Sequence, residues 1–373
     1  MYLSAKWLQI INVSERDSFM SKKKIVPLLV ALVSIGAITG CSNKGEQQEQ
    51  ISVTDMVGTT ITINKNPQKV ACISRTTYDL LVAYGLGDKI DGAYKGTLKN
   101  DWVPLIYPES KNHYVYEYNN SSELFLSRGV DLVFAPEKYI ADDLNAHGVP
   151  ALCVSLYGNP TFDNYVTFLS QLVTKIWDGD EIKTKAAAWE NKVTTAISDV
   201  TSELSKHTIS NKKVFYVRGD KDRGIGYTDT KGSFTEYAYR SLGFEFVGST
   251  LMTPQPSKEE IVAQNPDIFV CGGQYQNKNI NILKTEEPYI NLTAVQSNKI
   301  YNIPIGFTAF EQLSAMTPIF FYDQANKIYP EYFSYNIPAM VKTTIKDYFG
   351  TDLTDDQVSY MLNGLNPQGG SLY

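Results

Sequence analysis

Residues 121–134, SSELFLSRGVDLVF, and residues 257–270, SKEEIVAQNPDIFV, carry one pattern twice. Each has a Ser, one residue, a Glu, seven residues and an Asp, followed by an apolar run: Ser121, Glu123 and Asp131 in the first, Ser257, Glu259 and Asp267 in the second. A Ser at a helix N-cap accepts a bond from a free N–H of the first turn, and a Glu at the second helical position sits against the positive end of the helix dipole. The spacing predicts a short amphipathic helix ended by the Asp. Leu132–Phe134 and Ile268–Val270 then open strands whose continuous apolarity implies burial on both faces. Taken alone, the two stretches read more simply as unrelated helix–strand units. Their places in the chain decide otherwise.

Residues 51–63, ISVTDMVGTTITI, show the β-branched alternation of a hairpin broken at Met56-Val57-Gly58. VACISRTTYDLLVAYGLGDKIDGAY reads as strand, turn, helix from about Thr77, glycine stop at Gly85 or Gly87, and strand. The alternation continues through DLVFAPEKYIADDLNAHGVPALCVSL. Strands alternating with helices imply a parallel sheet with helices on its faces. From Phe162 to about His207 only helical pattern appears, interrupted at Asp178-Gly179-Asp180. Within it Trp189, Val193, Ile197, Val200 and Leu204 share one stripe, on a helix that would span on the order of 40 Å. Alternation resumes with VFYV, a helix over Ser233–Leu242, SKEEIVAQ, PDIFVCGG and NKIYNIPI, and the chain closes in helical stretches near 309–329 and 338–349. The expected fold is α/β: two Rossmann-like lobes with parallel sheets, 51–160 and 208–373, joined by a helical linker at 161–207. The repeated Ser-x-Glu unit occupies an equivalent place in each lobe.

The 373 residues suffice for two cores, and a net charge of −6 leaves no basic field to attract nucleic acid. With 25 Tyr and 16 Phe, the chain is rich in rings, and a Tyr ring with a polar tip suits a cleft that is apolar at one end and wet at the other. MSKKKIVPLLVALVSIGAITGC, from Met20, is a basic segment, an apolar run and small residues before Cys41, the layout of a secretion signal. Its apolar run is shorter than the roughly 20 residues a membrane span needs. Ile38-Thr39-Gly40-Cys41 resembles the bacterial lipobox, in which the Cys takes a lipid and becomes the first residue of the mature protein. Residues 1–40 are therefore read as an upstream extension and signal, and 41–50 as a flexible tether. Cys72, Cys153 and Cys271 lie in apolar strand-like runs and are expected to be buried free thiols.

The mature chain resembles the extracytoplasmic substrate-binding lipoproteins of ABC importers for iron complexes, haem and cobalamin. VTDMVGTTITINKNPQKVACIS is similar to that family's opening hairpin and first strand, LLVAYGLGDKIDGAY to its next helix–strand step, and NLTAVQSNKIYNIP and ANKIYPEY to its C-terminal signature. The resemblance implies a ligand cleft between two lobes, a receptor that is not an enzyme and has no cofactor of its own, and an ABC permease dimer with its ATPase as partner. It also implies that Glu123 and Glu259 match the acidic knobs that dock on basic permease pockets. The sequence departs from the family in Gly129-Val130-Asp131, where a Pro commonly precedes the Asp, and in SRTTYD at the first helix start. A monomer is expected, and a rigid spanning helix implies small closure on binding.

Loops at the carboxyl ends of parallel strands form the cleft of such a fold. They are rich in rings and guanidinium groups, which suit a greasy chelate bearing anionic oxygens. The candidate ligand contacts are Arg75, Tyr78, Tyr118, Tyr157, Arg218, Tyr227, Tyr275 and Phe307. His113, beside three tyrosines, is a candidate haem or metal ligand, set against the plainer reading of a lone exposed histidine in a chain with 3 His. No GxSxG, GxxxxGK[ST] or HExxH occurs, so a surface-anchored hydrolase has no motif in its favour. The expected ligand is a metal chelate, a ferric siderophore first, haem or a corrinoid next, then molybdate or tungstate.

Overall fold

A computed structural model describes residues 48–157, 162–219 and 222–372, with 162–164 described in backbone only. The signal, Cys41 and most of the tether lie outside the described residues. The strands are β1 (Gln50–Thr54), β2 (Thr60–Asn64), β3 (Val70–Cys72), β4 (Ile90–Tyr94), β5 (Tyr114–Tyr116), β6 (Leu132–Ala135), β7 (Ala151–Cys153), β8 (Lys212–Val217), β9 (Phe244–Phe246), β10 (Ile268–Cys271) and β11 (Ile300–Asn302). β1 and β2 form an antiparallel hairpin. The other nine make two all-parallel sheets, in the orders β5-β4-β3-β6-β7 and β11-β10-β8-β9.

The two Ser-x-Glu units are equivalent in detail. Helices Ser122–Arg128 and Lys258–Gln264 end on left-handed residues, Gly129 (φ 67°) and Asn265 (φ 41°). The Asp that follows bonds to the strand beside it rather than to its helix. Asp131 N–H donates to Lys69 O and its Oδ2 accepts from Lys69 N at 2.8 Å. Asp267 does the same with Lys213 O and Lys213 N, the latter at 2.7 Å. Lys69 Nζ and Lys213 Nζ then cap the carbonyls of Arg128 and Gln264. Each Asp thus sets the register of the central strands, β6 on β3 and β10 on β8.

The starts of the two helices differ. Ser257 forms a capping box with Glu260, as the pattern implies for a Ser N-cap. Ser121 makes no side-chain cap bond; its hydroxyl bonds the Glu123 carboxylate, which also holds the backbone N–H of Glu123 and lies below the usual carboxylate range for that reason.

Helix Phe162–Ile176 leads through Gly179 into the 25-residue helix Asp180–Leu204. Its buried stripe is Ala186, Trp189, Val193, Ala196, Val200 and Leu204. Ile197, expected on that stripe, is half-buried at its edge, and the small Ala186 and Ala196 take the center. One apolar core runs from the first lobe along this helix into the second, from Leu80, Trp102 and Val173 to Trp189, Phe246 and Phe320. Two further clusters cover the opposite faces of the sheets. The first helix begins at Arg75, not Thr77, and the helix expected from 309 begins at Thr317, because 309–316 turns repeatedly to cross between lobes. Helix Asp355–Leu362 was not apparent from periodicity and is fixed by a Thr354–Gln357 capping box.

That crossing segment is tied to the first lobe. Asp79 Oδ1 accepts from Ala315 N at 2.8 Å, Asn100 Nδ2 donates to Gly306 O at 2.8 Å, and Trp189 of the long helix donates to Ser314 O at 2.7 Å. Asp79 is fully buried and its Oδ2 has no partner among the described residues. Burial pushes its carboxyl up to about 7, against the pull of the Ala315 N–H and the Thr308 hydroxyl. The folded chain therefore holds a proton that the unfolded chain has released, and stability falls as pH rises from about 4 to about 7, by at most about 1.4 kcal/mol per pH unit from this group. Asp79→Asn keeps the acceptor for Ala315 and removes the titration. Its melting temperature is expected to fall less than that of the wild type between pH 5 and pH 8, measured by thermal denaturation. Parallel pH profiles would rule out this role.

Candidate ligand cleft

In each sheet the strand order reverses at one point, between β3 and β6 in the first and between β8 and β10 in the second. A crevice opens there beyond the carboxyl ends of the strands. The two crevices face one another and enclose a cleft of about 560 Å³. From the first lobe it is lined by Ser74, Arg75 and Thr76 after β3 and by Pro136, Glu137 and Tyr139 after β6. From the second come Arg218 and Gly219 after β8 and Gly273, Gln274 and Tyr275 after β10.

Each arginine is laid on rings. Arg75 lies 5.3 Å from the centroid of Tyr94, which stacks on Tyr118 at 4.0 Å. Gly96 makes room for this: a Cβ there would stand 2.6 Å from Arg75 Nη2 and 2.5 Å from Tyr94. Arg218 stands between Tyr157 of the first lobe and Tyr227 of the second, 5.0 and 5.1 Å from their centroids. Arg223 stacks on the same Tyr227 at 3.4 Å. Guanidinium planes over aromatic faces keep their charge while losing water on one side.

Asp229 organises the second cluster. Its Oδ1 accepts from Arg218 Nη1 at 3.1 Å and from the Tyr157 hydroxyl at 3.3 Å, and its Oδ2 accepts from Thr235 at 2.5 Å. Burial opposes the Arg218 charge, and the Asp229 carboxylate with the surrounding tyrosines outweighs it and holds the guanidinium firmly protonated. Burial raises the Tyr157 hydroxyl well above its usual range. Burial also raises Glu137, which Arg218 partly offsets. At the cleft floor Glu311 accepts from the Tyr216 hydroxyl at 3.2 Å and from Gly273 N at 3.1 Å.

Six of the eight residues singled out from the sequence meet in this cleft: Arg75, Tyr118, Tyr157, Arg218, Tyr227 and Tyr275. Tyr78 does not. One turn into its helix, it points into the core, with its hydroxyl 3.0 Å from His113 Nδ1 and its ring stacked on Phe307 at 5.4 Å. Phe307 is buried between Tyr78 and Phe349 and borders only a side cavity of about 30 Å³. His113 is half-buried against Tyr78 and Tyr107, outside the cleft lining, and burial lowers its pKa. Arg223, Asp229, Tyr94 and Glu311 were missed. A search for cations and rings passes over the carboxyls of Asp229 and Glu311, and nothing local sets Arg223 and Tyr94 apart from other arginines and tyrosines of the chain.

Glu123 and Glu259 are both exposed near the starts of equivalent helices and take no part in the cleft. No helix among the described residues is long and apolar enough to cross a membrane. Cys72, Cys153 and Cys271 are buried and unpaired.

The profile of the periplasmic binding protein family matches residues 131–305, from the Asp of the first repeat past β11. That stretch, a little under half of the chain, is similar to the periplasmic binding proteins, a family of binding proteins rather than enzymes. The chain is 22% identical over 310 residues to YvrC, an ABC transporter substrate-binding lipoprotein of Bacillus subtilis (strain 168), spanning 76% of this chain and 90% of that one. Among solved structures the same fold recurs in a periplasmic solute binding protein of Veillonella parvula, with 20% identity, TM-score 0.65 and coverage of 84% and 97% of the two chains. It recurs in Haemophilus influenzae MolA bound to molybdate, with 17% identity, TM-score 0.66 and coverage of 82% and 99%. Helicobacter pylori CeuE, in a nickel–histidine complex, has 16% identity, TM-score 0.67 and coverage of 84% and 99%.

If Asp229 is what holds Arg218 in place, Asp229→Ala should cost about 3 kcal/mol in urea unfolding, because it strands a half-buried cation and two hydroxyl donors. Arg218→Ala should cost less, since Asp229 keeps Thr235 and Tyr157. The reverse order would place the support of the cleft elsewhere.

Proposed function

We propose that this chain is the lipid-anchored receptor of an ABC importer, held at the outer face of the cytoplasmic membrane through Cys41, and that it captures an anionic metal chelate, most simply a ferric siderophore. The observation that carries this reading is the convergence of Arg75, Arg218 and Arg223, each on an aromatic face, in one cleft of about 560 Å³. Guanidinium groups match the carboxylate, catecholate or hydroxamate oxygens on the outside of such a complex, and rings match its apolar body. A four-oxygen anion would fill only a small part of that space. Among the described residues no group of three or more His, Cys, Asp or Glu stands together to hold a metal. On this reading the ion arrives within its own ligand set, and the protein reads the surface of the complex.

Fluorescence and absorption titrations of the mature chain with a ferric tris-catecholate, a ferric hydroxamate, haemin, cobalamin and molybdate test this. One-to-one binding of a ferric chelate is expected, weakened about 10- to 100-fold by Arg75→Ala, the loss of a charge-assisted contact. Arg75 is the cleaner probe because, among the described residues, it carries no ion pair of the Asp229 kind. A Soret band shift or a corrinoid spectrum on binding, with no response to ferric chelates, would move the assignment to haem or cobalamin. A response to molybdate alone would move it to an oxyanion.

Glu123 and Glu259 are proposed to dock on the permease, one from each lobe. Exposed carboxylates of this kind orient and steer a partner rather than supply most of its affinity. Glu123→Arg combined with Glu259→Arg is expected to abolish uptake in cells while ligand affinity in solution is unchanged. Loss of both together would place the pair in the fold instead.

A further inference from the structure

Among the described residues Glu311 is the cleft carboxyl with a buried oxygen left over. Its Oε1 accepts from the Tyr216 hydroxyl of β8 and from the Gly273 N–H after β10. Its Oε2 is buried and has no partner among the described residues. The backbone is shaped to admit this carboxyl: a Cβ at Gly272 would lie 2.6 Å from Oε1, and Gly273 turns away with φ +67°. Among the described residues no ion pair gives Glu311 a cation, and Arg218, on the loop after β8, is committed to Asp229. Of the titratable groups around it, Tyr216 supports its charge through one hydrogen bond, Tyr239 is a buried phenol, and Asp229 opposes it as a second carboxylate.

A buried carboxylate without a cation, on the wall of a cleft that collects arginines for an anion, works against the bound charge. A neutral acid there does not. We propose that capture by this receptor is proton-linked through Glu311: the anionic ligand is held with this carboxyl neutral, and its ionisation weakens the complex. The proposal rests on the reading of the ligand as an anion. Glu311 acts through the field in the cleft and through its hold on Gly273 and Tyr216, so it is a tuning residue rather than a required ligand contact.

The direction follows from the order of the two protonation steps. Burial, against the pull of its own N–H, the Gly273 N–H and the Tyr216 hydroxyl, brings the empty site's carboxyl up to about 7. A bound anion disfavours the charged form further. Binding therefore takes up a proton above that pH, and affinity falls there by up to about tenfold per pH unit. Below it affinity is flat.

The test uses Glu311→Gln in the mature chain, which keeps the Oε1 acceptor for Tyr216 and Gly273 and removes the titration. Molybdate and a ferric tris-catecholate serve as anionic probes between pH 6 and pH 8.5. The ratio of wild-type to Glu311→Gln Kd cancels any titration of the probe itself. This ratio is expected to be level near pH 6 and to rise about fivefold from pH 7 to pH 8. Calorimetry in buffers of different ionisation enthalpy should show proton uptake by the wild type alone. A ratio that does not change with pH overturns the proposal and leaves the ligand reading intact. Failure of both proteins to bind any anionic probe, with binding of a neutral or cationic complex instead, overturns the ligand reading and the proposal with it. Should the variant not fold, infrared spectra of the wild type decide: absence at pH 6 of a neutral carboxylic acid band that disappears by pH 8.5 overturns the proposal.

Discussion

The buried contact between Asp79 and the Ala315 N–H is the constraint on which the cleft depends. Asp79 belongs to the first helix of the first lobe, and Ala315 ends the segment that brings Phe307, Glu311 and Gln312 up from β11. Asn100 and Trp189 bond the same segment at Gly306 and Ser314. The wall contributed by the second lobe is thus held by hydrogen bonds to the first lobe and to the long helix. Further ties run through the C-terminal turns, where Trp102 donates to Leu365 O and Thr351 to Ile106 O. A cleft built this way is largely shaped before ligand enters, which lowers the ordering cost of binding.

The chemistry of the cleft comes from partly desolvated arginines whose charges are supported without being cancelled. Arg218 is paired with the Asp229 carboxylate, which also accepts from Tyr157 and Thr235. Tyr157 belongs to the first lobe and Asp229 to the second, so the same group that positions the cation also closes the back of the cleft. Rings carry the rest. Tyr94, Tyr118 and Tyr227 give the guanidinium planes of Arg75 and Arg223 a face to lie on, which limits their rotamers at low cost.

The repeated Ser-x-Glu unit was readable as a local helix start, and its equivalence in two lobes followed from where each copy fell. The part that mattered structurally was the Asp ten residues after the Ser. Asp131 and Asp267 bond Lys69 and Lys213 on the neighbouring strands, partners separated by more than fifty positions that no local pattern announces. Ser121 shows the limit from the other side: the same residue type as Ser257 at the same place makes a different bond, because the first copy lacks a Glu at the position of Glu260 and Glu123 takes the hydroxyl.

Sequence alone determined the alternation of strands and helices, the long helix between the lobes, the burial of β6 and β10 and the loops that border the cleft, since each is written in periodicity, glycines and composition over a few residues. It also singled out most of the cleft cations and rings, because Arg and Tyr concentrated after apolar strands have few other uses. Only the tertiary structure decided which way those side chains turn. Tyr78 and Arg75 sit three positions apart on one helix, yet one packs in the core and the other faces the ligand. Glu311 was an ordinary acid in a loop until Gly272, Gly273 and Tyr216 enclosed it, for burial, and with it the energy of a charge, is a property of what folds around a residue rather than of the residue itself.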